Sequence, residues 1–381
     1  MLRMEVQSIK NWLAENALPI KLFVVSRTGL FLVVYLSLVI MPVLVGDGLW
    51  RGHPQNLLID GWSRWDSGWL GSISEQGYTN IPQQIGVDTA FFPLYPLTLR
   101  YVSYITGDTH VSGILVSNIA FLLSLLVLHK LLQMHFNQVI VSKTLTLITF
   151  SAFSFFFSAV YTESVFLLFI VCTFYFGARS QFFWSAIFAA LASATRVLGF
   201  VLAIPLLLMY LEQKDYKLRN FKPNILVFLL MFMGLLSFMV YLSLKFGNPL
   251  EFIAAQSQWN TLNPLHILPN VQNFINYRII LAGNFPAMDI INSAFFVVAL
   301  ILAFVYRKQV GLPYTTFSTL MVMLSSTRIL GMGRYTLVVF PLFIALAYFL
   351  KNRDFYLAFL YFSILFLALF SIMFSHWYWV A

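Results

Sequence analysis

Long apolar runs follow one another along this chain with few polar interruptions. A helix needs about 20 apolar residues to cross roughly 30 Å of hydrocarbon. On that criterion the runs predict about eleven spans, at 22–45, 111–134, 143–158, 160–178, 182–196, 197–211, 224–245, 289–306, 313–330, 335–350 and 354–375. Those between 143 and 211 are short, and tilting, re-entry or merging would change the count. The pattern predicts an all-α polytopic membrane protein, organised as one integral membrane domain over 1–381. Two stretches break it, at about 46–110 and 246–288. Loops of that length in a membrane protein usually carry function.

Basic residues orient the spans. With the N-terminus cytoplasmic, Arg3, Lys10, Lys21, Lys130, Lys143, Arg179, Lys214, Lys217, Arg219, Lys222, Arg307, Lys308, Lys351 and Arg353 all fall on the inner side, as the positive-inside rule requires. Both long loops then face outward. The closing His376-Trp377-Tyr378-Trp379 reads as an aromatic anchor at the outer interface. Residues 1–20 mix Arg3, Glu5, Lys10 and Glu15 with apolar positions. No small-residue cleavage site interrupts 22–45, so that run reads as a retained span.

Composition agrees with a lipid environment. Of 381 residues, 60% are hydrophobic and 10% charged, against about 25% charged in soluble domains. The net charge of +9 belongs to the short inner loops and does not imply a nucleic-acid partner. A single Cys, Cys172, excludes an intrachain disulfide. No phosphate-cradling glycine loop is present, and no His, Asp and Glu spacing resembles a structural metal site.

Chemistry concentrates in the first long loop. Asp47, Asp60, Asp66, Glu75, Asp88 and Asp108 lie there, six of the chain's 14 carboxylates. Trp65, Trp69 and Ile73 recur at helical spacing, which predicts a short amphipathic helix on the membrane surface. Such a helix holds Asp66 at the lipid edge. There its carboxylate either takes a proton from a sugar hydroxyl or simply caps the helix. Trp65 and Trp69 flank it as candidate substrate contacts.

The run Trp65-Asp66-Ser67-Gly68-Trp69, with Gly77-Tyr78 and Ala90-Phe91-Phe92-Pro93-Leu94-Tyr95-Pro96 after it, resembles the first lumenal loop of the GPI mannosyltransferase II (PIG-V) family. That family belongs to the GT-C class of membrane glycosyltransferases. Three further blocks resemble the family in order: Ala159-Val-Tyr-Thr-Glu163-Ser-Val-Phe, Ala194-Thr-Arg196-Val-Leu-Gly199, and Gly333-Arg334-Tyr335 running to Phe340-Pro341. The resemblance implies a GT-C-like helical bundle that moves a sugar, expected to be mannose, from a polyprenyl-phosphate donor. The acceptor would be a hydroxyl of a glycan or glycolipid outside the cytoplasm, and the outcome inversion. It implies Asp66 as the acceptor-activating group and Asp88 as a further acceptor or metal contact. No cofactor is required, although the class leaves room for a divalent metal. Ser67-Gly68-Trp69 stands where eukaryotic members carry an acidic residue and His-Phe, so the resemblance does not extend to a GPI precursor as acceptor.

Four charged residues near the outer ends of spans complete the candidates. Glu163 is either a functional group or half of a buried pair with Arg196. Arg328 and Arg334 flank one outer turn, where a guanidinium fork suits a phosphate diester or snorkels to lipid phosphate. Tyr335 stands beside Arg334. The short length and the lack of eukaryote-style signals point to a prokaryotic plasma membrane. A transporter or flippase of lipid-linked sugars is the rival; it predicts midplane charges and repeat symmetry, and the runs show little of either.

Overall fold

The computed structural model describes residues 10–44, 49, 51–81, 87–220, 223–257, 286–325 and 331–380, and among them every regular element is helical. Arg328 and most of the second long loop lie outside the described residues. The helices are α1 (Ala17–Ile40), α2 (Asp66–Gln76), α3 (Leu94–Thr106), α4 (Thr109–Gln133), α5 (Gln138–Thr149), α6 (Glu163–Ala178), α7 (Phe182–Thr195) and α8 (Ala203–Glu212). They continue with α9 (Met233–Phe246), α10 (Glu251–Ser257), α11 (Pro286–Val305), α12 (Leu312–Ser325), α13 (Met332–Leu337), α14 (Phe340–Phe349) and α15 (Arg353–Ser375).

Local chemistry sets the boundaries. Asp108 begins α4 by accepting from Val111 N, Asn137 begins α5 through Ile140 N, and Asn352 begins α15 through Asp354 N and Phe355 N. Each satisfies a backbone donor that the first helical turn leaves orphaned. Gly107 and Gly247 end α3 and α9 in the left-handed conformation that glycine adopts without strain. One cluster of buried apolar side chains runs from Leu30 to Val380. In it α4 packs on α6, α6 on α7, and α1 on both α4 and α15.

The expected spans are only partly continuous. Among the described residues, four helical stretches are long and apolar enough to cross a membrane: Ala17–Ile40, Thr109–Gln133, Ile225–Phe246 and Arg353–Ser375. Five apolar helices are shorter, so the expected count of eleven does not follow from the described residues. The run 143–158 breaks at Phe150 and continues as a 3-10 turn, Ser154–Phe157. The run 335–350 divides between α13 and α14. The loop region 78–110 is also more ordered than the hydropathy pattern implied, because α3 forms within it.

The break after α5 has a visible partner. Arg27, near the middle of α1, is buried and donates to Ser154 O at 2.9 Å, Ser154 Oγ at 2.8 Å, Ser158 Oγ at 3.1 Å and Thr149 O at 3.4 Å. Its guanidinium lies 4.8 Å from the Phe121 ring centre. Irregular backbone at membrane depth needs such donors for its freed carbonyls. The expectation of an almost charge-free interior is therefore corrected at Arg27, which is buried.

A second buried arginine ties the first loop to the far end of the chain. Arg64 donates through Nε to Ser375 O at 3.0 Å and through Nη1 to Asp60 O at 2.6 Å and Ser63 O at 2.8 Å. Its Nη2 meets Asp60 Oδ2 at 2.8 Å, and Arg51 Nε reaches the same oxygen at 2.9 Å. His53 N donates to Asp60 Oδ1 at 3.1 Å. In the tail, Trp377 and Val380 are buried against the protein, while Tyr378 between them is exposed. The Arg64 guanidinium lies 5.4 Å from the Trp377 ring centre.

Burial alone would raise the Asp60 pKa, but the charge and hydrogen bonds of Arg64, with Arg51 and His53 N, hold it below its ordinary value. A lowered carboxylate pKa contributes stability that is whole above the unfolded value of about 3.9 and is lost as pH falls through the folded one. Asp60→Asn is expected to lower stability at pH 7 by about 3–5 kcal/mol, because it strands a buried guanidinium. It should also reduce the acid sensitivity of thermal melting below about pH 4. Identical melting curves for variant and parent at pH 7 would contradict the clamp. Arg27→Met is expected to cost about 2–4 kcal/mol in the same assay, since it orphans the carbonyls of Thr149 and Ser154; an unchanged melting temperature would refute that role.

Candidate active site

The site begins at a strained residue. Trp65 has φ +52° and ψ −116°, a conformation unusual for a side chain of its size. Such strain costs roughly 1–3 kcal/mol and persists only where the surroundings over-determine it. Here they do. Ser67 N and Gly68 N donate back to Arg64 O and Trp65 O, both at 3.1 Å. The Tyr161 hydroxyl donates to Arg64 O at 3.2 Å and accepts from Asp66 N at 3.3 Å. The Trp65 ring packs edge-on against Trp377 and Trp379, at 5.3 and 5.2 Å between centroids.

Helix α2 therefore starts at Asp66, and Trp65 occupies the cap position without a side-chain capping bond. The expected surface helix does form, but Leu70, Gly71 and Ile73 are buried in protein rather than laid on lipid. Asp66 does not cap it. Its Oδ2 accepts from Arg334 Nη1 at 2.6 Å, a contact that joins positions 268 apart in the chain.

Arg334 is the centre of a larger ionic group. Its Nε faces Glu163 Oε1 at 3.0 Å, and Arg196 Nη1 donates to the same oxygen at 2.8 Å. Its Nη2 donates to Tyr335 Oη at 3.1 Å. The Arg334 guanidinium lies 5.0 Å from the ring centres of both Tyr161 and Tyr335, and that of Arg196 lies 4.5 Å from Tyr335. Two carboxylates and two guanidiniums thus share one aromatic-walled enclosure, with balanced charge. Side-chain exposure grades across it: 18% for Asp66, 10% for Arg334, 11% for Arg196 and 0% for Glu163. Glu163 closes the inner end, and its Oε2 is buried without a protein partner.

Each member owes its place to a local feature. Glu163 is the first residue of α6, directly after the Arg27-supported break. Arg196 is the extended residue that ends α7. Arg334 lies on α13, one turn long, entered through Gly331 at φ +94°. Gly333 lets that turn meet the Phe153 ring, since a Cβ there would come within 2.5–2.8 Å of its carbons.

The structure thus gathers Asp66, Glu163, Arg196, Arg334 and Tyr335, with Trp65 supporting Asp66. The paired reading of Glu163 with Arg196 holds, and Arg334 is buried and ion-paired rather than snorkelled to lipid. Asp88 lies in a different setting. Its Oδ2 accepts from Thr79 N at 2.5 Å and Thr79 Oγ1 at 2.9 Å, and its Oδ1 from Asn80 N at 3.0 Å. Those bonds tie Asp88 to Thr79 and Asn80. Trp69 stacks on Phe91, with centroids 6.1 Å apart. Reading the sequence did not single out Tyr161 or Arg64, took Asp60 only as one of six loop carboxylates, and read Trp377 and Trp379 as an interfacial anchor rather than as neighbours of Trp65. Tyr161 lay within a block already noted, two residues before Glu163, and that position was its only signal. Among the described residues, no group of three or more His, Cys, Asp or Glu side chains is arranged to hold a metal ion.

Comparisons with known proteins agree with this architecture. A crystal structure of ArnT from Cupriavidus metallidurans bound to undecaprenyl phosphate superimposes with a TM-score of 0.52 at 14% identity, over 87% of this chain and 60% of that one. At that identity the likeness shows the fold, a GT-C-like membrane bundle, and this chain spans only about three fifths of the ArnT length. No curated protein sequence matches the chain significantly. The family model described as Mannosyltransferase (PIG-V) matches residues 52–247, just over half of the chain. That region holds Asp66, Glu163 and Arg196, while Arg334 reaches the same site from beyond it. The chain belongs to the mannosyltransferase (PIG-V) family.

Proposed function

We propose that this protein transfers a sugar, mannose by its family, from a polyprenyl-phosphate donor to an acceptor hydroxyl on the extracytoplasmic side of the membrane, with inversion. The observation that carries the reading is the Asp66–Arg334 contact at 2.6 Å. It puts a carboxylate able to take a proton beside a guanidinium able to hold a phosphate, at the exposed end of an otherwise closed ionic group. The ArnT structure, which contains undecaprenyl phosphate, supports a polyprenyl-phosphate ligand for this fold.

In the proposed reaction the acceptor oxygen attacks the anomeric carbon on the face opposite the phosphate. Its proton passes to the Asp66 carboxylate. The new C–O bond forms as the bond from the anomeric carbon to the phosphate oxygen breaks. The electron pair of that bond leaves with polyprenyl phosphate, which gains one negative charge. Arg334 and Arg196 offset the charge as it develops, and they are already oriented by Glu163 and the tyrosines before substrate arrives. Tyr161 keeps Asp66 at the start of α2. Both carboxylates of the group already face guanidiniums, so no step needs a metal. A glycan or glycolipid and the surrounding membrane lipids are the partners this chemistry calls for.

The test uses the purified protein in nanodiscs with a panel of polyprenyl-phosphate sugars and a membrane lipid extract as the source of acceptors. Release of polyprenyl phosphate is measured with and without EDTA. The expected result is release from one sugar donor, unaffected by EDTA, and a fall of about 10²–10⁴-fold in Asp66→Asn, the usual weight of a general base. Undiminished release by that variant removes Asp66 from the mechanism. In sealed proteoliposomes of the same protein, donor crossing the bilayer intact, without release, would favour a flippase.

A further inference from the structure

Both terminal nitrogens of Arg334 are already engaged, Nη1 with Asp66 and Nη2 with Tyr335. The Nε of the same guanidinium faces Glu163. A phosphate oxyanion is held best by two parallel N–H groups of one guanidinium edge. The Nη1–Nη2 edge is the one turned toward Asp66 and Tyr335. A phosphate that takes this edge must therefore displace the Asp66 carboxylate or share the guanidinium with it.

Charge and exposure both name Asp66 as the partner that yields. The four ionic side chains balance with no ligand present, so an incoming anion competes with a carboxylate already there. Glu163 is fully buried and held by two guanidiniums, at 2.8 and 3.0 Å. Asp66 is the most exposed of the four, and Arg334 is its ionic partner. Its carboxylate stands on the first residue of α2, where a change of side-chain rotamer moves it without disturbing the helix.

We propose that Arg334 is shared in time: it holds Asp66 while the donor is absent and passes to the donor phosphate on binding, which frees Asp66 for the acceptor hydroxyl. The inference rests on the glycosyltransferase reading above and adds an order of events to it. Until the phosphate is seated, the carboxylate oxygen nearest Arg334 is occupied. The donor thus arms the base, and a hydroxyl or water that arrives first meets a carboxylate engaged elsewhere. Binding is predicted to be ordered, donor before acceptor.

Competition between two anions for one cation has a consequence that a purely structural ion pair does not share. Removal of the Asp66 charge should tighten phosphate binding. The probe is undecaprenyl phosphate, titrated into the full-length protein in phosphatidylcholine nanodiscs, so that no anionic headgroup competes. Asp66→Asn is expected to bind it about tenfold more tightly than the parent, a coupling of the usual size between linked sites. Arg334→Gln should bind it at least about tenfold more weakly. Asp66→Ser, which removes both the charge and the amide's hydrogen-bonding capacity, should follow Asp66→Asn and serves if that variant does not fold. Equal or weaker binding by the folded Asp66 variants would overturn the sharing of Arg334. The two readings separate cleanly. Full sugar transfer by Asp66→Asn defeats Asp66 as the base, whereas lost transfer without tighter binding defeats only the exchange of partners.

Discussion

A guanidinium buried inside a membrane protein must be given acceptors, which are carbonyls and hydroxyls for Arg27 and carboxylates for Arg334. Arg334 meets that requirement with Asp66 at 2.6 Å and Glu163 at 3.0 Å. The two carboxylates come from different parts of the chain. Asp66 arrives on a loop between α1 and α4, and Glu163 at the start of α6, after a buried stretch of irregular backbone. Neither arrives by apolar packing alone. The loop is drawn inward by the Asp60–Arg64 pair and by Arg64 Nε on Ser375 O. The irregular stretch is held open by Arg27. Both devices serve to hold a charged group of four in place.

Such a group is not an efficient way to stabilise a fold. Taking four charges out of water costs several kcal/mol each, and apolar side chains of similar volume are often equally good or better. The strained Trp65 adds a further cost at the same spot. What the arrangement supplies is charge whose position is settled before any substrate binds. That is the feature electrostatic catalysis depends on, because no reorganisation is then needed as charge develops. The gradient of exposure from Glu163 to Asp66 gives the group a fixed end and an adjustable one.

Much of this was legible in the sequence, for reasons that differ by residue. The helical membrane class follows from apolar runs that no soluble surface could tolerate. Asp66 stood out as a carboxylate among tryptophans, and Glu163, Arg196 and Arg334 as isolated charges in ordered blocks. Their meeting was not legible, since nothing local to position 334 points to position 66. The helix break at Val338 was hidden because Leu337 and Val339 beside it are apolar and give no periodicity to interrupt, while the break at Phe150 falls in a run whose shortness already left its continuity open. Arg27 was overlooked inside a span whose other residues satisfy every hydropathy criterion. Arg64 was overlooked because its partner Ser375 O is a backbone atom, which leaves no mark on the sequence. The closing tryptophans looked like an interfacial belt, and only the fold shows them packed on Trp65.

The central claim is that one guanidinium serves both the carboxylate and the donor phosphate. An experimental structure of the protein with undecaprenyl phosphate bound tests it most directly. The account predicts the phosphate oxygens within hydrogen-bonding distance of Arg334, with Asp66 Oδ2 moved away from Nη1. A phosphate bound elsewhere, with the Asp66–Arg334 pair intact at 2.6 Å, would contradict it.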